Sequence, residues 1–163
     1  MSAESREYER LVTDPVTSAE DSLAQLREGG NRGLAKTLGI ELTELSPDKV
    51  VATMPVDERT RQPFGILHGG ASVALSETVA SIAALLNIDR ATQVAMGIEI
   101  NANHIRAKSE GTVTGTATPI HRGRTTQVWD VRIVDEENRP VCISRCTIAV
   151  VQRQRASEPI DSK

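Results

Sequence analysis

The sequence predicts an α+β domain: an antiparallel sheet wrapped around one long central helix. Three observations predict it. The run 69–87 carries Val73, Ala74, Leu75, Val79, Ala80, Ile82, Ala83, Ala84, Leu85 and Leu86, apolar nearly all round a helical wheel, which is the pattern of a buried helix. Six runs rich in β-branched residues, 40–46, 49–55, 93–106, 111–120, 125–135 and 141–151, flank that helix, two before it and four after. The breaks between them are short, which favours antiparallel neighbours.

In chain order, residues 1–17 are polar. Ser18 is a candidate N-cap for a short helix that Gly29 and Gly30 stop, and 33–39 can form a further helical turn. Ser46, Pro47 and Asp48 make a turn that joins the first two strands as a hairpin. A loop over 57–68 leads into the helix. Glu110-Gly111, 121–124 and 136–140 separate the last four strands, and the tail from Arg153 is polar. One sheet layer cannot cover both its edges and the helix, so self-association is the natural completion.

Composition narrows the function classes. The chain has 163 residues, enough for one domain with a core. Its 19 basic and 22 acidic residues leave a net charge of −3, which offers no basic field for nucleic acid. Tyr8, Phe64 and Trp129 are its three aromatics, too few for a base-stacking platform. No apolar run reaches membrane-span length, and the charged N-terminus lacks a secretory core, so the expected location is cytoplasmic. Cys142 and Cys146 share one face of a strand about 13 Å apart, too far to bridge each other, and no metal-ligand spacing is present.

The chemistry concentrates at the loop-to-helix junction, Gln62-Pro63-Phe64-Gly65-Ile66-Leu67-His68-Gly69-Gly70-Ala71-Ser72. Gly69 stands at a helix N-terminus, where unpaired N–H groups and the positive end of the dipole favour a developing oxyanion. A tight turn packed close to a neighbour would also need glycine there. Glu77 is the one ionisable group of the helix, and a carboxylate in a buried helix is costly unless paired or used. Ser81 follows at i+4 on the same face, where it can bond Glu77, hold a water, or back-bond the helix.

This string, with Glu77 at its spacing, resembles the hotdog-fold acyl-CoA thioesterases, in the branch of the Arthrobacter-type 4-hydroxybenzoyl-CoA thioesterase. That branch includes 1,4-dihydroxy-2-naphthoyl-CoA thioesterases, enterobactin-pathway proofreading thioesterases and phenylacetate-pathway thioesterases. Further matches are 52–57, Gly97-Ile98-Glu99-Ile100-Asn101-Ala102-Asn103-His104, and Gln127-Val128-Trp129. The resemblance implies a hotdog domain over 34–151, with 1–33 as an N-terminal extension and 152–163 as a disordered tail. It implies that the Gly69 N–H and Gln62 polarise a thioester carbonyl, and that Glu77 is nucleophile or general base. His68 and Ser81 then support the acyl site. Residues matching CoA contacts are Gly97, His104, Ile105, Arg106, Ala107, His121, Arg122, Gly123, Arg124, Thr125 and Thr126; forked arginine donors suit phosphate. The implied reaction hydrolyses an aromatic acyl-CoA to acid and CoA in a homotetramer of dimers, with no metal or cofactor besides the CoA of the substrate. The rival from another class is a non-catalytic acyl-CoA sensor on the same fold.

Overall fold

The computed structural model describes residues 32–153. The helix expected after Ser18, most of the N-terminal extension and the tail beyond Arg153 lie outside the described residues. The elements are α1 (Gly33–Leu38), β1 (Glu41–Ser46), β2 (Lys49–Pro55), α2 (Gly69–Leu85), β3 (Gln93–His104), β4 (Thr112–Arg122), β5 (Thr126–Val134) and β6 (Pro140–Gln152). The strands form one six-stranded sheet in the order β1-β2-β4-β5-β6-β3. Every neighbouring pair is antiparallel. The last strand runs to Gln152, and the Arg153 N–H donates to the Thr92 carbonyl at 2.8 Å, so the sheet ends slightly later than the sequence predicts.

Alternation sets the inner face. Gln127, Trp129, Val131 and Ile133 of β5, and Cys142, Ser144, Cys146, Ile148 and Val150 of β6, are buried toward the helix. Leu75, Val79, Ala80 and Ala83 of α2 meet them with no exposed surface. The helix packs closely on β4 at Gly115, where a Cβ would stand 3.0 Å from Leu75 Cγ. Trp129 belongs to the core; its indole N–H donates to Gln127 Oε1 at 3.1 Å, so the polar edge of the ring is satisfied. Both cysteines are buried and free. Among the described residues no helix is long and apolar enough to cross a membrane.

One expectation is corrected. The apolar wheel of α2 predicts burial all round, Glu77 included, yet Glu77 is exposed and Val73, Ala74, Thr78, Ser81 and Leu85 are half-buried. A single sheet covers one side of a cylinder, and these residues form the side turned away from it. Beside them runs β3, an edge strand of 12 residues with Met96 and Ile98 exposed and a bulge between Gly97 and Glu99.

Candidate active site

The loop before α2 is held from both ends. Thr60, 1% exposed, gives its hydroxyl to the Pro55 carbonyl at 2.8 Å and accepts the Asp57 N–H at 3.0 Å. The Thr60 carbonyl then accepts the His68 N–H at 2.8 Å, and the Lys108 carbonyl accepts the Leu67 N–H at 2.7 Å. Between these anchors, Gln62–Gly65 is a tight turn: the Gly65 N–H donates to the Gln62 carbonyl at 2.9 Å, and Gly65 takes φ 82°, which glycine adopts without strain. The Phe64 N–H donates to Gln62 Oε1 at 3.0 Å. With its oxygen so engaged, the Gln62 amide is left with its NH2 as a donor.

His68 is the N-cap of α2. Its Nδ1 accepts the Gly70 N–H at 2.8 Å, which assigns the ring proton to Nε2. Its carbonyl accepts the N–H groups of Ala71 (3.0 Å) and Ser72 (3.2 Å). Among the described residues nothing accepts the Gly69 N–H, which is the free donor of the helix end. The His104 ring of β3 lies against Gly69, so that a Cβ there would stand 2.8 Å from His104 Nε2. A side chain at 69 would have to displace that exposed imidazole, and it would stand in the way of any ligand that approaches the backbone.

These groups open on a cleft of about 530 Å³. Gln62, His68, Gly69, His104, Ile105, Arg106 and Ala107 line it, so seven of the residues singled out from sequence come together. Pro63, Ile66, Leu67, Ser72 and Val141 line it too, although sequence gave them no role. Helical periodicity is the signal that finds Ser72, which falls three residues after Gly69 on the same helix face. Arg106 is exposed and makes no ion pair among the described residues, whereas Lys108 is held by Glu136 at 2.5 Å.

Glu77 and Ser81 lie elsewhere. Eight residues of helix, about 12 Å of rise, separate Gly69 from Glu77. The Glu77 carboxylate rests on β3 where Gly97 leaves room; a Cβ on Gly97 would stand 2.7 Å from its Oε1. The Glu77 carboxylate and the Ser81 hydroxyl hydrogen-bond neither each other nor any other described residue. Burial, with Glu77 and Glu99 close by, pushes the Cys146 thiol up to about 11, so it stays protonated and unreactive at neutral pH.

The turn 121–126 is at the other end of the sheet. His104 pairs with Cys142 and Thr126 with Ala149, so seven residues of β6, roughly 23 Å, lie between them. There Arg122 donates to Asp48 (2.7 Å), the Asn87 side chain (3.1 Å) and the Pro47 carbonyl (3.3 Å). His121 covers Gly123, while Arg124 and Thr125 are exposed. One chain does not bring 121–126 to the cleft. Among the described residues no three metal-ligating side chains cluster.

A helix packed on a single antiparallel sheet, with free backbone and amide donors at its N-terminus, is an arrangement that can bind and polarise a carbonyl. The family model of the thioesterase superfamily (4HBT) matches residues 64–142. The chain is 48% identical over 123 residues to the 1,4-dihydroxy-2-naphthoyl-CoA hydrolase of Listeria monocytogenes, covering 76% of this chain and 99% of that one. It is 52% identical over 118 residues to the proofreading thioesterase EntH of Cronobacter turicensis, covering 72% and 85%. A solved thioesterase structure from Haemophilus influenzae superposes with a TM-score of 0.77 at 41% identity, over 90% of this chain and 99% of that one. The chain belongs to the thioesterase superfamily, with the hotdog fold, and is a thioester hydrolase.

Proposed function

We propose that the protein hydrolyses an aromatic acyl-CoA to the free acid and CoA, and that two copies build each active site. One observation carries the reading: the Gly69 N–H and the Gln62 amide, two donors without an acceptor among the described residues, face one cleft. Such a pair suits the oxygen of a thioester as it gains charge. The aromatic acyl group is supported by likeness to a hydrolase of 1,4-dihydroxy-2-naphthoyl-CoA. Arg106 at the cleft mouth suits the phosphates of the thiol arm.

Glu77 supplies the carboxylate. It takes a proton from the water that attacks the carbonyl carbon, or it attacks that carbon itself and water then opens the resulting acyl–Glu77 anhydride to the free acid; in either route the thiolate leaves without a strong acid. At about 12 Å along its own helix, it is too far from Gly69 to act on the same carbon. A second copy, related by a two-fold axis along the open β3 edge and the uncovered face of α2, brings its Glu77 to the first copy's Gly69. Ser81 accompanies Glu77 and holds the water. No metal takes part in the proposed reaction. Two such dimers form the tetramer, and 121–126 of another chain then closes on the CoA end of the cleft.

The test is thiol release, followed with a chromogenic thiol reagent, from aromatic and aliphatic acyl-CoAs. Wild type turns over the aromatic members best, and Glu77→Ala loses activity by about 10³-fold or more. Binding without turnover would instead make the protein an acyl-CoA sensor, and turnover that survives Glu77→Ala would remove that residue from the chemistry.

A further inference from the structure

We infer that Ser72 reads a hydroxyl, or another hydrogen-bonding substituent, on the acyl group of the substrate. The inference rests on the reading that the Gly69 N–H holds the thioester carbonyl. Four hydroxyls lie along α2, and they are treated differently. Ser76 pairs with Ser144 of β6 at 3.1 Å, and Thr78 donates to the Ala74 carbonyl at 2.7 Å. Ser81 is half-buried on the face turned from the sheet. Ser72 is 2% exposed, yet among the described residues its hydroxyl meets no donor or acceptor. The carbonyl within its reach one turn back, that of His68, already accepts two N–H groups. The Ser72 hydroxyl is not wholly enclosed, so water in the cleft satisfies it until a ligand displaces that water; a ligand that offers no polar partner in exchange leaves it unsatisfied.

Ser72 lines the cleft, so the direction open to its hydroxyl is the cleft itself. It follows Gly69 by three residues on one helix face, which places the two about 5–6 Å apart. That is within a six-membered ring's breadth of a carbonyl held at Gly69. The thiol half of the substrate is long and anionic, and it must leave through the mouth, where Arg106 is exposed. The buried floor is left for the acyl half. Its other buried walls are the aliphatic Leu67 and Val141, so a polar substituent arriving there finds the Ser72 hydroxyl, which both donates and accepts. A substrate without that substituent leaves the hydroxyl desolvated and alone, and is disfavoured.

The experiment measures kcat/KM for benzoyl-CoA and its 2-, 3- and 4-hydroxy counterparts with wild type, Ser72→Ala and Ser72→Cys. Wild type is expected to prefer at least one hydroxylated member over benzoyl-CoA by about tenfold. In Ser72→Ala that preference falls by about tenfold, and the near-isosteric Ser72→Cys, a weaker hydrogen-bonding partner, falls between and serves if the alanine variant does not fold. A preference unchanged in both variants, an equal loss on all four substrates, or no preference in wild type overturns the inference while thiol release stands. Absence of thiol release from every acyl-CoA would instead remove the proposed function beneath it.

Discussion

Gly97 has no side chain, and that permits the Glu77 carboxylate to lie where it does. A methyl group there would stand 2.7 Å from Oε1, inside any tolerable contact. Among the described residues Glu77 alone stands within 4 Å of a Cβ on Gly97, so within the chain the backbone itself has room for alanine. Gly97→Ala should therefore displace Glu77 without unfolding the protein. Displacement of a reacting group by about 1 Å costs up to about 10²-fold in rate, so kcat should fall by about ten- to a hundredfold, with KM and melting temperature little changed. Steady-state kinetics beside a thermal melt checks this, and a matched loss of stability and rate would mean that Gly97 only supports the strand. The same reasoning read from sequence alone gives half the answer. Glycines at 69 and 97 announce close approach, but only the fold says that the approaching groups are His104 and Glu77.

At the scale of elements, the wall of the cleft depends on a pair outside it. The segment after β3 carries Arg106 and Ala107 into the cleft and ends at Lys108, whose carbonyl anchors Leu67. Glu136, in the β5–β6 turn, holds the Lys108 ammonium and also accepts the Thr112 N–H at 2.6 Å. The Lys108 bond first, and then the Thr112 N–H, lower the Glu136 carboxyl to about 2. A carboxyl lowered by folding stabilises the folded chain above its unfolded value, near 4.3, and that stability is lost as pH falls through the folded value. Glu136→Gln should thus be less stable than wild type at pH 7 and pH 5, and the deficit should shrink between about pH 4.5 and pH 2. Urea midpoints at pH 7, 5 and 3 measure it; a deficit constant with pH would assign the loss to packing. The elements themselves were legible, since two-residue alternation marks β5 and β6 and an apolar wheel marks α2. What periodicity could not show is which side of α2 the sheet covers, because a stripe for a sheet and a stripe for a second chain look alike in sequence. Nor could it show that 104–107 and 121–126, close in sequence, stand at opposite ends of the sheet.

At the scale of the whole molecule, the exposed Glu77 and the solitary Gly69 pose one geometrical question, and complementation answers it. Glu77→Ala removes the carboxylate from one chain and leaves its donors; Gln62→Ala removes a donor from the other and leaves its carboxylate. Each homodimer is then defective at both sites. In a mixed dimer with two-fold symmetry, one site takes Gln62 from the first chain and Glu77 from the second, both intact, while the other site lacks both. Random pairing makes half the dimers mixed, and half the sites in those are whole, so co-expression should restore about a quarter of wild-type turnover. A site built within one chain would restore nothing, because no chain in the mixture carries both groups. A lysine at Ile98, exposed on the β3 edge, adds the second half of the test. If that edge joins the copies, Ile98→Lys shifts the protein to monomer by light scattering and abolishes turnover, although Ile98 does not line the cleft. An active monomer would show instead that one chain bends its helix and loop into a complete site, and that the uncovered face of α2 serves another purpose.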